Sequence, residues 1–317
     1  MRQMIKARDG RNLAVESLGA PGGKPVFLLH GTPGAFVGPR PRGSILYRRG
    51  IRLIGYNRPG YADSDRLKGR KVADAAADIE DIANFFSLER FSVVGRSGGA
   101  PHALACAALL GKRVTCAAAL CSLAPYNAEG LDWTLGMTSS NVKAYREAED
   151  DDLSPLIATL IGHLRELRQS SQGLLKFLGP ELEKSDNSVI GDIALRRIIA
   201  QTHAEAVRNG IDGWVDDVLA LGSPDGWGFN LHDIEQPVLL WHGQDDKFSP
   251  VSHARWLEKR IARAELEVHP SVAHFDAVRS LPGILTWMLK QAGEEPSGGS
   301  RGRYDRVPEH VLAAPVR

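Results

Sequence analysis

The spacing of apolar and polar residues changes rhythm along the chain. Met4 to Arg8 and Leu13 to Leu18 alternate between the two classes across the turn signal Asp9-Gly10, the pattern of two antiparallel strands. Val26 to Leu29, Ile51 to Tyr56, Phe91 to Gly95, Val114 to Cys121, Val238 to Trp241 and Glu265 to Val268 are short, mostly apolar runs. Such runs suit strands buried on both faces of a parallel sheet. Helical segments are expected over Val72 to Phe86, from Pro101 onward, over Pro250 to Ile261 and over His274 to Gln291. The alternation predicts an α/β fold with a mostly parallel central sheet and right-handed crossovers.

One interval interrupts that alternation. Between Cys121 and Val238 no strand pattern occurs, but Leu153 to Arg168, Gly173 to Lys184, Val189 to Arg208 and Ile211 to Leu221 are amphipathic. A connection this long is not a bare loop in a compact domain. We expect a helical cap, residues 125–235, inserted into a core made of 1–124 and 236–291. Its place is over the carboxyl ends of the strands, where ligands of open α/β sheets bind. Residues 292–317, with Ser-Gly-Gly-Ser and scattered arginines, read as a flexible tail.

Composition narrows the class of function. The chain is 43% hydrophobic and 24% charged, with a formal charge of +1, so it carries no basic field for nucleic acid. No apolar run approaches the ~18 residues of a membrane span, and the N-terminus lacks the apolar core of a signal peptide; a cytoplasmic protein without membrane contact is expected. Cys106, Cys116 and Cys121 form neither a CxxC pair nor an even set and read as buried structural thiols.

The chemistry centres on Gly95-Arg96-Ser97-Gly98-Gly99, between an expected strand and an Ala-rich helix. This G-x-S-x-G pattern holds a serine in a tight strand-to-helix turn and sets the following N–H groups at a helix N-terminus. A serine hydroxyl needs a base, and the base a carboxylate that holds its tautomer. His274 fits the base, on a loop after the strand Glu265 to Val268. His269, at the strand end and followed by Pro270, fits a structural position better. Asp245 and Asp246 both follow the strand Val238 to Trp241 and both remain candidates for the acid. The small residues of His30-Gly31-Thr32-Pro33-Gly34 allow the Thr32 N–H to turn toward Ser97 and pair with that of Gly98 as an oxyanion site. Arg96 reads either as an internal ion pair, the favoured reading, or as a contact for a substrate carboxylate. Trp133, Met137, Phe177, Trp214, Trp227 and Phe229 are candidates for a pocket wall above Ser97.

HGTPG at 30–34, NRPGYADSD at 57–65, VVGRSGGAPHALA at 93–105, LLWHGQDDKFSP at 239–250 and the late His274 together resemble the α/β-hydrolase superfamily, in its capped serine-hydrolase form. The likeness runs from Val26 to about Gln291. It implies Ser97 as nucleophile, Asp246 as acid, His274 as base, the N–H groups of Thr32 and Gly98 as oxyanion donors, a small-molecule substrate, and no metal or organic cofactor. Serine at the elbow argues against epoxide hydrolases and haloalkane dehalogenases, which use aspartate there; the elbow also departs from the G-x-S-W-G of proline iminopeptidases. The expected function is cleavage of a small ester, thioester or amide through an acyl-enzyme. Alternatives are a C–C bond hydrolase or aminopeptidase-like enzyme of the same fold, or a binding protein with little turnover.

Overall fold

The computed structural model describes residues 1–169 and 178–293, the side chains of 167–169 excepted. Eight strands form one sheet: β1 (Arg2–Lys6), β2 (Asn12–Gly19), β3 (Lys24–Leu29), β4 (Ile51–Tyr56), β5 (Phe91–Arg96), β6 (Val114–Leu120), β7 (Val238–Gly243) and β8 (Ala264–His269). Their spatial order is β1-β2-β4-β3-β5-β6-β7-β8. β2 runs antiparallel to both β1 and β4, and every other pairing is parallel.

The apolar strand runs are explained by their period of two. Val93, Ala117 and Leu240 belong to one buried cluster, while their neighbours Val94, Ala118 and Leu239 belong to a second. The first contains Ile79 and Ile82 of the helix Ala75–Phe85 and Ala103 and Leu104 of the helix Gly99–Leu110. The second contains Leu46 of the helix Gly43–Arg48 and Leu281, Ile284, Leu285 and Met288 of the helix Ala277–Gln291. Consecutive side chains leave a strand on opposite faces, so a run apolar at every position must be covered twice. The three cysteines are buried in these clusters and are unpaired.

Between β6 and β7 lie the helices Ser139–Glu147, Ser154–Gln169, Lys184–Gly191, Ile193–Ala206 and Asp212–Leu221. The first of these, like Gly43–Arg48 between β3 and β4, is short and was not anticipated. The single helix expected over Val189 to Arg208 is broken. Asp192 leaves helical backbone at ψ 116° and its carboxylate accepts the N–H groups of Ala194 and Leu195, starting a new helix. Of the expected run Gly173 to Lys184, the described part is a 3-10 turn at Gly179–Glu181. The last helix starts at Ala277 rather than His274, which leaves that histidine on a loop. The tail expectation lies outside the described residues from 294 onward. No helix among the described residues is long and apolar enough to cross a membrane.

Candidate active site

Ser97 follows the last residue of β5 and has φ 54°, left-handed backbone that is uncommon for a residue with a Cβ. The turn is held by its own N–H donating to Leu120 O (2.8 Å) and by Ala100 N–H donating to Ser97 O (2.8 Å). The flanking glycines are sterically required. A Cβ on Gly95 would lie 2.1 Å from Gly99 O, and one on Gly99 would lie 2.4 Å from His30 O. The pattern therefore reflects backbone passing within contact distance on both sides of the serine.

His274 lies between Ser97 and Asp246. Its Nε2 is 3.0 Å from Ser97 Oγ, and its Nδ1 is 2.8 Å from Asp246 Oδ2. Asp246 is buried, and its Oδ1 accepts the N–H groups of Phe248 and Ser249, both at 2.9 Å. That leaves Oδ2 to fix the imidazole with Nδ1 protonated and Nε2 free to accept from the hydroxyl. Asp245 points to solvent. His269 stacks on Trp241 at 4.9 Å, away from the serine. The loop carrying His274 is pinned to the end of β7: a Cβ on Gly243 would lie 2.4 Å from Val272 O.

The electrostatics follow from this packing. Burial pulls the His274 pKa down, but the charge and hydrogen bond of Asp246 outweigh it and the net shift is upward from 6.5. For Asp246 burial favours the neutral acid, and His274 reverses the balance to leave its pKa below 3.8. Cys121 Sγ, Asp246 and His274 bring possible ligand atoms within 4.8 Å of one another. Burial, then the Asp246 charge, drives the Cys121 thiol far up, so it stays protonated and is a poor ligand for a metal.

Two further acids, unmarked by any sequence motif, brace the site from the segment between β6 and β7. Asp186 is buried, and its Oδ1 accepts the N–H of Phe275, next to His274, at 2.7 Å. Asp217 is wholly enclosed and receives Arg58 (2.5 Å), Arg70 (2.6 Å), Tyr61 Oη (2.7 Å) and Thr32 Oγ1 (2.5 Å). Arg58 also donates to the carbonyls of His30 and Gly31, so Asp217 and Arg58 together fix the 30–34 loop. Burial alone would raise the Asp217 pKa, but the two arginines hold it well below 3.8. The pair of acids Asp216-Asp217 inside the apolar run from Trp214 to Leu219 was the available signal. We expect Asp217→Ala to destabilise the protein by about 3–5 kcal/mol, the cost of stranding buried charge. A loss below about 1 kcal/mol in urea unfolding would contradict this account of the cluster.

Among the described residues, neither the Thr32 nor the Gly98 N–H has an intramolecular acceptor, and both residues line a cavity of about 120 Å³ that also contacts Ser97 and His274. Gly98 has no room for a side chain, since a Cβ would lie 2.2 Å from Thr32 Oγ1. The cavity wall differs from the expected one. Trp214 lines it, with Tyr145, Leu160, Ile199, Phe248 and Phe275. Trp133 instead packs in an aromatic cluster with Tyr126, Tyr145 and His253. Met137 borders a surface groove beside Val142 and Lys143. Trp227 and Phe229 stack on each other, where Gly228 approaches Lys71 and Ala73. Trp133, Trp227 and Phe229 thus pack within the segment and against its neighbours, while the large aromatics at the cavity are Tyr145, Trp214, Phe248 and Phe275. Phe177 lies outside the described residues.

A family model described as alpha/beta hydrolase fold matches residues 24–278. The AB hydrolase superfamily protein YisY of Bacillus subtilis (strain 168) is 27% identical over 277 residues, 86% of this chain and 92% of that protein. The non-heme haloperoxidase of Rhodococcus erythropolis is 23% identical over 278 residues, 85% and 92% of the two chains. The crystal structure of the enol-lactonase from Burkholderia xenovorans LB400 superposes with a TM-score of 0.67 at 15% identity, over 92% of this chain and 100% of that one.

Proposed function

Because this chain belongs to the α/β-hydrolase family and is a hydrolase, we propose that it cleaves a small carboxylic ester, thioester or amide through an acyl-enzyme on Ser97. The observation that carries this reading is His274, in hydrogen-bond reach of Ser97 Oγ at 3.0 Å and of Asp246 at 2.8 Å. In this reading 1–124 and 236–291 form the core, and 125–235 is a cap that closes the cavity.

The steps follow from the geometry. Ser97 Oγ attacks the substrate carbonyl carbon as His274 Nε2 takes its proton, and Asp246 stabilises the imidazolium. The carbonyl oxygen, now anionic, is received by the N–H groups of Thr32 and Gly98, which have no competing acceptor among the described residues. Collapse of the tetrahedral species expels the leaving group, which takes the proton from His274. Water then enters by the same route, and the acid is released. The cavity of about 120 Å³ is somewhat smaller than the ~150 Å³ that holds one benzene, which favours short acyl groups. No described residue of its lining is Asp or Glu, so no carboxylate faces a substrate ammonium. That disfavours the aminopeptidase alternative.

Labelling with a fluorophosphonate and peptide mapping tests the reading, alongside a series of p-nitrophenyl esters of increasing chain length. Ser97 should carry the label, and short esters should be turned over fastest. Label on another residue, or none, would remove the proposal. A pH profile offers an independent check. The base must be neutral, so kcat/KM should fall as pH drops through the His274 pKa, with a midpoint above 6.5 because that pKa is raised. A profile flat to pH ~5 would exclude His274 as the base.

A further inference from the structure

Taking Ser97 as the nucleophile, we propose that Arg96 is the binding site for a carboxylate on the substrate, so that the enzyme acts on short acyl compounds bearing an acid group. The internal ion pair favoured for this residue from sequence is not formed among the described residues. Among the described residues, Arg96 has neither a salt bridge nor a side-chain hydrogen bond, although it lines the cavity beside Ser97. Arg58 and Arg70 are treated differently: both are buried and share the Asp217 carboxylate.

Arg96 is half-buried, and a guanidinium partly withdrawn from water without a partner is costly. Folds keep such groups where a ligand completes them. The surroundings fit an anion. Arg96 is the only Lys or Arg among the described lining residues, and none of them is Asp or Glu. The titratable group acting on Arg96 is the Cys121 thiol, which burial keeps protonated. Burial lowers the Arg96 pKa to about 10, so the side chain is still cationic at neutral pH.

Its position limits the ligand further. Arg96 directly precedes Ser97 in the chain and lines the same cavity as Ser97 and His274, which places it close to the reacting atoms. With about 120 Å³ available, the substrate's acid group must lie only a few bonds from the scissile carbonyl. Monoesters of short dicarboxylic acids have that form. A guanidinium also presents paired N–H donors that match a carboxylate and fix its orientation.

The test compares monomethyl succinate with methyl succinamate, which share shape and differ in charge. We expect wild-type kcat/KM to favour the succinate by about 10- to 100-fold, the range of a charge-assisted hydrogen bond. That ratio should fall to near one in Arg96→Gln and Arg96→Met, and Arg96→Lys should keep part of it. Free succinate should also slow fluorophosphonate labelling of wild-type Ser97, while neutral succinamide should not. The wild-type measurements decide the matter even if a variant fails to fold. If Ser97 is labelled but wild type shows no preference for the succinate, the Arg96 proposal is wrong and the Ser97 reading stands. A preference that survives in both folded Arg96→Gln and Arg96→Met would equally overturn it. An unlabelled Ser97 would instead remove the underlying reading.

Discussion

Ser97→Ala is expected to lower turnover of the best ester by at least about three orders of magnitude and to abolish fluorophosphonate labelling. In the proposed mechanism, removing Oγ leaves no nucleophile for His274 to activate, and only the oxyanion donors and substrate binding remain. The fold should survive. Among the described residues the hydroxyl hydrogen-bonds only to His274, while the turn is held by backbone bonds to Leu120 and Ala100. Near-UV circular dichroism and the urea midpoint should therefore match the wild type. A folded variant that retains more than about a tenth of the activity would exclude Ser97 as the nucleophile.

Asp246→Asn should reduce kcat/KM by up to about ten-thousand-fold, the effect of the equivalent change in serine proteases. The reason lies in how the carboxylate is used. Its Oδ1 is committed to the N–H groups of Phe248 and Ser249, so an asparagine oxygen would take that place and turn its NH2 toward His274. The imidazole would then carry its proton on Nε2, facing Ser97 Oγ, and could not accept from it. The acid limb of the pH profile should also move down, because the carboxylate that raises the His274 pKa is gone. Asp245→Asn, on an exposed residue, should cost less than about tenfold. Rates in the reverse order would transfer the role to Asp245.

Much of the fold was legible because its signals are local. Each β-strand from β3 to β7 is an apolar run whose alternate residues serve different clusters, and the antiparallel start is carried by alternation around Asp9-Gly10. The helix break at Asp192 was missed because amphipathic spacing continues on both sides of it. Only the side chain's capping bonds to Ala194 and Leu195 mark the boundary. Gly43–Arg48 and Ser139–Glu147, at 6 and 9 residues, are too short for periodicity to stand out.

At the site, the sequence by itself determined where a strained serine could sit. Gly95 and Gly99 are dictated by backbone contact within a few residues of Ser97, and such short-range constraints leave a readable pattern. It also named His274 and Asp246 from their places after strands and from family resemblance, and the structure brings His274 into hydrogen-bond contact with both Asp246 and Ser97. The tertiary structure alone decided which charges are satisfied. Asp217 meets Arg58 across 159 positions and Arg70 across 147, and Asp186 reaches Phe275 across 89. Arg96 finds no such partner among the described residues. A charged side chain carries no mark in the sequence of the residue that will neutralise it. Pairing depends on which distant elements the packed core brings together, so the lack of a partner for Arg96 among the described residues is a property of the packing and leaves no trace in the sequence.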